Sequence, residues 1–376
     1  MIKIEKPWVG DTAEWFTCAS TSNPEYHFDT AAGRYVVLFF FGSAALEKSR
    51  VALDFITKDL RHLFDDSRMA FFGVSVDPGD AEQNRVQQIL PGFRYFWDFD
   101  GAVSKLYGAL DSAADTNSGM ISYSAFTLVL DPFLRVMEKI PLNKGDPHQH
   151  NMQLKEILEK LPPLNNYAGV PIHAPVLILP RVFEPDLCRT LIDLYKQNGG
   201  KESGFMREKD GYTVPVYDHD RKRRKDYNLE KDIANNPVLD YIRTRIQRRL
   251  IPEIKKVFQF DATRIERYIV SCYEGEVGGF FRAHRDDVMK GTMHRRFAVT
   301  LNLNTEEYEG GDLLFPEFGT HTYRAPTGGA CVFSCSLLHE ATPVTKGTRY
   351  AFLPFLYDDA AAKVRAENAK FLTGDA

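Results

Sequence analysis

The chain has 376 residues, 44% of them hydrophobic and 26% charged, with a formal net charge of −4. That length suits two domains, each large enough to bury its own core, and the charge balance gives no global reason to expect nucleic acid. The first fifteen residues lack a signal-peptide apolar core and the longest apolar run, Tyr35–Phe41, is far too short to span a bilayer, so the chain reads as cytoplasmic with no membrane partner.

In the first 160 residues the pattern is βαβ. Residues 34–42 form a continuous apolar run that reads as a buried strand. Residues 46–64 read as an amphipathic helix with Val51, Leu53, Ile56, Leu60 and Leu63 as its apolar positions, and residues 69–80 as a second strand. A helical stretch is expected at 81–90, a strand at 124–132 and a closing helix at 152–161. The strings VSVDP (74–78), D-x-D-G-x-V-x-x-x-Y-G (98–108) and FTLVLDP (126–132) resemble the peroxiredoxin-like branch of the thioredoxin fold over about residues 5–160. A working peroxiredoxin places a thiolate in the turn after the first buried strand, where a helix N-terminus lowers its pKa. Here that turn reads GSAALEKS, and Cys18 lies upstream of the strand. The domain is therefore read as a catalytically silent module serving dimerisation, partner docking or the shaping of access to a second site. The remaining cysteines, Cys188, Cys272, Cys331 and Cys335, complete a set of five with no C-x-x-C, which suggests neither a disulfide framework nor a zinc knuckle.

Pro162, Pro163, Pro171 and Pro175 interrupt any helix and mark a boundary. The domains are drawn as 1–163 and 176–376, with 164–175 as linker. A strand at 176–183 precedes a helix at 184–200 that Gly199 and Gly200 end, and a helical stretch at 237–258 carries Val238, Ile242 and Ile246 on one side. Between them, residues 201–232 are polar and aperiodic. Such a segment inside a compact domain is usually a functional loop or a disordered one. Its run Arg221–Lys225 either grips phosphate, with Arg243, Arg245, Arg248 and Arg249 extending the basic surface, or is a solvated stretch balanced by Asp218, Asp220 and Asp226. From Arg264 onward alternating strands and glycine turns dominate, as a jelly roll requires.

Within that region the alternation about His284 puts it and Asp286 on one face of a strand and Arg285 on the other. A strand-like run, VFSCSLL, ends on His339, and another opens on Arg349, ten residues further on. Two histidines and one carboxylate make a facial triad, the ligand set of non-haem Fe(II) oxygenases. Three positions stay open for a bidentate 2-oxo acid and O₂. The far carboxylate of 2-oxoglutarate asks for a planar, permanently charged fork, and Arg349 is the candidate.

The stretches YEGEVGGFFRAHRD (273–286), RRFAVTLNLNTEEYEGGDLLFPEFG (295–319) and GGACVFSCSLLHEATPVTKGTRYAF (328–352) resemble the prolyl-4-hydroxylase-type branch of the 2-oxoglutarate/Fe(II) dioxygenases over about residues 175–360. The interval from Tyr273 to His284 is longer than that family's usual form. The resemblance implies a double-stranded β-helix (jelly-roll, cupin-like) domain braced by helices, behind an α/β thioredoxin-like domain. It implies Fe(II) on His284, Asp286 and His339, 2-oxoglutarate held by Arg349 with Tyr273 or Thr300 adding a hydroxyl bond, a lid made by the 201–232 loop, and ascorbate as accessory reductant. The expected reaction hydroxylates an unactivated C–H and releases succinate and CO₂. The substrate is a prolyl residue of a peptide or protein, or alternatively a free amino acid or other small molecule. Two readings from other classes are a thioredoxin-fold redox enzyme and a nucleic-acid- or protein-binding module with a redoxin-like adaptor.

Other histidines carry less. His294 lines the pocket or is structural, with the structural role favoured; His148 and His150 sit in a turn without a carboxylate at ligand spacing; His321 reads as a loop residue. Either Arg295 or Arg296, ahead of a buried strand, is a candidate to meet substrate.

Overall fold

The computed structural model describes residues 7–111, 122–142, 146–209, 211–230 and 237–372. They divide into two compact units, one ending at His173 and including Pro316–Thr320, the other comprising Ala174–Phe315 and the chain from His321 on. No helix among the described residues is long and apolar enough to cross a membrane.

The first unit is built on a five-stranded sheet in the order Phe93–Trp97, Met69–Ser75, Tyr35–Gly42, Phe126–Leu130, Val136–Pro141. The first three strands run parallel and the last two antiparallel to their neighbours, a thioredoxin-like arrangement. Every residue of Tyr35–Gly42 and Met69–Ser75 is buried. Strands covered on both faces have no solvent side to alternate with, hence their unbroken apolar runs. The helix expected at 46–64 starts as Glu47–Asp54, widens into a turn at Phe55–Asp59 and ends in a short turn at Arg61–Leu63. The helix expected at 81–90 is absent. Only Pro78–Glu82 is helical, capped by the Asp77 carboxylate on the Gly79 amide. Gln83, Gln87 and Gln88 offer no apolar stripe to pack, and Asn84 takes the left-handed conformation that ends the turn.

The second unit has two sheets. The larger contains Arg264–Glu266, Phe355–Tyr357, Phe297–Asn302, Val344–Phe352, Ile269–Glu274, Lys225–Asn228 and Lys201–Glu202, extended by Ala330–Ser334, Leu177–Leu179 and Tyr308–Gly310. The smaller contains Lys222–Arg223, Phe280–His284, His339–Ala341, Leu313–Leu314 and Thr322–Tyr323. One face of the larger sheet is covered by helices: Leu191 of Pro185–Asn198, Ile242 of Pro237–Arg245 and Ile254 of Ile251–Phe258 pack on Val270, Leu301, Val332 and Phe352. On the other face Tyr273 and Tyr308 meet Phe281 and Ala341 of the smaller sheet. This is the double-stranded β-helix, with a charged space between the sheets.

The segment expected to be a lid or a solvated loop is largely strand. Phe205–Lys209 and Tyr212–Val216 form a hairpin, and Lys222–Arg223 and Lys225–Asn228 join one sheet each; positions 210, 231 and 232 lie outside the described residues. The basic run does not lie on one surface. Period-2 alternation buries Lys222 and Arg224 and leaves Arg223 and Lys225 exposed. Asp226 continues the inward set. It accepts from the Arg224 guanidinium at 2.6 Å and from the Ser271 hydroxyl at 2.6 Å, and the Ser203 hydroxyl also donates to it.

Burial disfavours the charged form of Asp226, but Arg224, Lys222 and the two hydroxyls outweigh it and hold the carboxyl down to about 2. Asp226→Asn leaves Arg224 uncompensated and should cost about 3 kcal/mol at neutral pH. Because the folded-state pKa is depressed, the stabilisation is present above the ordinary carboxyl range and fades as pH falls toward about 2. Denaturant melts of wild type and variant should therefore converge between about pH 4 and pH 2.

Candidate metal centre

His284 closes the strand Phe280–His284 and stands directly opposite His339, which opens His339–Ala341. Facing positions on adjacent strands bring side chains within reach of each other, and the two ring centroids are 4.4 Å apart. The strand ends at His284, so Asp286 does not share a strand face with it as expected. It sits in the turn beyond, anchored by its amide on the Cys335 carbonyl at 2.9 Å. From there its carboxylate lies 3.6 Å from His284 Nε2 and 3.4 Å from His339 Nε2. One atom from each of the three residues falls within 4.8 Å of the others.

The outer nitrogens fix the tautomer. His284 Nδ1 is 2.8 Å from the Arg282 carbonyl and His339 Nδ1 is 3.0 Å from the Leu337 carbonyl. A carbonyl only accepts, so each Nδ1 carries the proton and each Nε2 turns its lone pair to the shared space. Burial, then the field of His284, pushes His339 down to about 4, keeping it neutral and ligand-ready. Phe281 stacks on His284 at 3.6 Å between centroids and Phe333 packs edge-on to His339 at 4.6 Å, so the rings cannot swing. Two neutral imidazoles and one carboxylate, oriented by backbone acceptors, fit a divalent first-row metal.

Arg349 lies on Val344–Phe352, cross-strand from Tyr273, and its guanidinium stands 4.9 Å from the Tyr273 ring centroid. It is 2% exposed, yet its Nε and Nη1 have no hydrogen-bond partner. A buried guanidinium without an anion costs several kcal/mol, so the side chain fits an incoming carboxylate. Gly311, at φ +67°, leaves room for it: a Cβ there would come 3.0 Å from Arg349 Cδ. The Tyr273 hydroxyl accepts from Arg224 Nη1 at 3.3 Å, and Thr300 is buried on its strand's inner face, opposite to Val299 and Leu301. Neither makes a contact that assigns it to a co-substrate.

Of the remaining candidates, His294 and Arg295 both bind the Glu266 carboxylate, at 2.7 and 2.6 Å, while Arg296 donates to the Met293 carbonyl. His150 is buried and bonds Thr127, and His148 and His321 are exposed. Sequence reasoning missed the inward set Lys222, Arg224 and Asp226 and, next to Glu266, Arg267. The first three were detectable as a period-2 pattern inside the charged run; Arg267 had no such signal.

Residues 268–357 match the model of the 2OG-Fe(II) oxygenase superfamily, and residues 9–137 match that of the AhpC/TSA family. The chain joins an AhpC/TSA segment to a 2OG-Fe(II) oxygenase segment. The oxygenase segment is similar to a PKHD-type hydroxylase of Cupriavidus metallidurans, 38% identical over 88 residues (21% of this chain, 38% of that one), and to one of Synechococcus sp., 34% identical over 93 residues (23% of this chain, 41% of that one). The chain thus spans under half the length of these two relatives. Among solved structures, a prolyl hydroxylase in complex with a hypoxia inducible factor peptide fragment from Trichoplax adhaerens aligns at a TM-score of 0.42 and 18% identity, covering 60% of this chain and 97% of that one.

Replacing His284 or His339 with Ala should weaken Co(II) or Fe(II) binding, followed by calorimetry, by more than the roughly 10- to 100-fold typical of losing an outer partner of a ligand.

Proposed function

We propose that the oxygenase segment is a 2-oxoglutarate-dependent hydroxylase, with Fe(II) held by His284, Asp286 and His339. The observation that carries this reading is the pairing of that ligand set with the unmatched buried guanidinium of Arg349. Arg349 binds the far carboxylate of 2-oxoglutarate through a two-pronged contact, with Tyr273 and Thr300 supplying hydroxyls along the chain of the co-substrate. When bound, iron supplies redox activation of O₂ coupled to decarboxylation of 2-oxoglutarate to succinate and CO₂. The residues' own part is to bind, to orient and to exclude water. The Nδ1 contacts with carbonyls keep both imidazoles aimed, and Phe281 and Phe333 keep the pocket dry around them. The substrate is a prolyl residue of a peptide or protein, with a free amino acid or other small molecule as the alternative, and ascorbate serves as reductant in the cytoplasm.

The AhpC/TSA segment works without peroxidase chemistry, as a dimerisation or partner-docking module. In the turn after the first buried strand, the Ala44 amide is taken by the buried Asp80 carboxylate at 3.0 Å, which also accepts from Ser75 and Arg85. An internal anion thus occupies the position where a thiolate would need those donors. Burial, then Asp98 and Asp100, pushes the Cys18 thiol up to about 12, and the thiol donates to the Trp97 carbonyl. Burial and the two acids disfavour the thiolate at neutral pH.

Anaerobic titration with Fe(II) and 2-oxoglutarate should give the visible metal-to-ligand charge-transfer band in wild-type protein, none in His284→Ala and a weakened one in Arg349→Ala. Absence of the band in iron-loaded wild type refutes the reading. Peroxide consumption should stay at background and be unaltered by Cys18→Ser; turnover above background, lost in that variant, would restore a peroxidase role.

A further inference from the structure

Arg349 is not the only guanidinium of the oxygenase unit that lacks an anion. Arg224 has Asp226, Arg295 has Glu266 and Arg285 has the Ser336 carbonyl. Arg267 has none of these. Its Nε is sealed from solvent without a hydrogen-bond partner, and among the described residues the guanidinium rests only on an aromatic face, 4.1 Å from the Phe355 ring centroid. The adjacent Glu266 acts on it only at a distance and makes no ion pair with it, its carboxylate oxygens being engaged by His294 and Arg295. Arg295 stands over the same Phe355 ring, also at 4.1 Å, so like charge crowds Arg267 from one side. The backbone adds a second cost. Arg267 holds φ at +67°, a left-handed conformation unfavourable for a side-chain-bearing residue. An unmatched charge on a strained backbone is the kind of local cost that persists where it serves a site.

The position of Arg267 ties it to the candidate metal centre through Arg295, which shares the Phe355 ring with it: the next residue, Arg296, accepts from the Cys335 amide at 3.0 Å, and the Cys335 carbonyl accepts from the Asp286 amide at 2.9 Å. The Lys222 ammonium stands 4.6 Å from the Phe281 ring, which stacks on His284 at 3.6 Å. Lys222 itself is occupied by the Ser203 hydroxyl and the Gly204 carbonyl. Arg224 likewise has an unpartnered Nε but is held by Asp226, whereas among the described residues Arg267 has no ion pair of its own.

We propose that Arg267 anchors the primary substrate by a carboxylate, so that the two unmatched guanidiniums receive two different anions, 2-oxoglutarate on Arg349 and the substrate on Arg267. This rests on the oxygenase reading and names the substrate class within it. A planar carboxylate suits a single guanidinium fork and one unmatched charge, whereas a phosphate dianion would call for a second free cation. Although burial and Arg295 lower its pKa to about 10, Arg267 stays charged at neutral pH.

The test uses the full chain loaded anaerobically with Fe(II) and 2-oxoglutarate, so that Arg349 is filled and the charge-transfer band reports the loaded site. N-acetyl amino acids are offered as free acids and as amides, and end-blocked tripeptides are offered with Asp or Glu and with Asn or Gln. Binding is read from the perturbation of the band and from the thermal midpoint. Carboxylate-bearing probes should bind at least about tenfold more tightly than their neutral counterparts, the size of one charge-assisted contact. The two probe sets separate a free-acid substrate from an acidic peptide. R267Q should keep the Fe(II)/2-oxoglutarate band and lose the preference, and R267K, which keeps charge without the fork, should recover part of it. Equal binding of acids and amides, no binding of any probe to band-positive wild type, or a preference intact in R267Q overturns the proposal. If wild type shows no band, the oxygenase reading fails by itself, and the same acid-against-amide comparison on the unloaded chain then decides the role of Arg267.

Discussion

Charge enclosed between two β-sheets has to be matched, and the oxygenase unit is organised by how that matching is done. Its inner faces carry Arg224, Arg295 and Arg349 against Asp226, Glu266 and Asp286. Two cations find carboxylates within the fold. Asp286 is set aside, since its carboxylate lies 3.6 and 3.4 Å from the Nε2 atoms of two imidazoles and, among the described residues, makes no ion pair with a guanidinium. What the protein leaves unmatched is as specific as what it pairs: three ligand atoms within 4.8 Å of one another, and guanidinium groups that rest on aromatic rings with nitrogens lacking a hydrogen-bond partner. Buried ion pairs add little net stability over apolar packing. A pocket lined this way is better explained by binding than by folding.

Strand geometry makes that arrangement hold. The pairing of Phe280–His284 with His339–Ala341 brings the two histidines opposite each other, and the pairing of Ile269–Glu274 with Val344–Phe352 does the same for Tyr273 and Arg349. A slip of one residue in either register would turn a ligand or the guanidinium to the opposite face. The helices on the far side of the larger sheet oppose a slip of the second pairing, because Val270, Leu301 and Phe352 are locked among Leu191, Ile242 and Ile254. Packing on the far face of that sheet thus sets the position of Arg349.

The clustering of the candidate ligands was legible in the sequence because metal ligation demands particular side chains at spacings that strands impose. His284, Asp286 and His339 come together in the structure, and Arg349 stands buried and unpaired on the neighbouring sheet. The thioredoxin-like order of the first unit was equally readable from its unbroken apolar strands. The run Arg221–Lys225 was harder, since five consecutive charges look like a solvated surface until alternation is taken as the rule and two of them are turned inward. Asp286 in a turn rather than on the strand shows that the right contact can follow from an inexact local geometry. Arg267 was beyond reach. Its significance lies in a left-handed backbone and in a neighbour, Glu266, whose carboxylate is spent elsewhere, and neither is written in local residue type.

The same logic of internal matching separates the two units chemically. A peroxidatic turn works by leaving helix-terminal donors free for a thiolate. In this chain Asp80 reaches that turn, takes the Ala44 amide and is itself held by Ser75 and Arg85, while Ser43 binds Asp77. Restoring a cysteine at Ser43 or Ala44 would place it beside two carboxylates, whose field raises a thiol pKa. In the AhpC/TSA segment the donors of this turn are thus spent on its own acids, whereas in the oxygenase segment Arg349 keeps Nε and Nη1 without a partner beside the candidate metal centre.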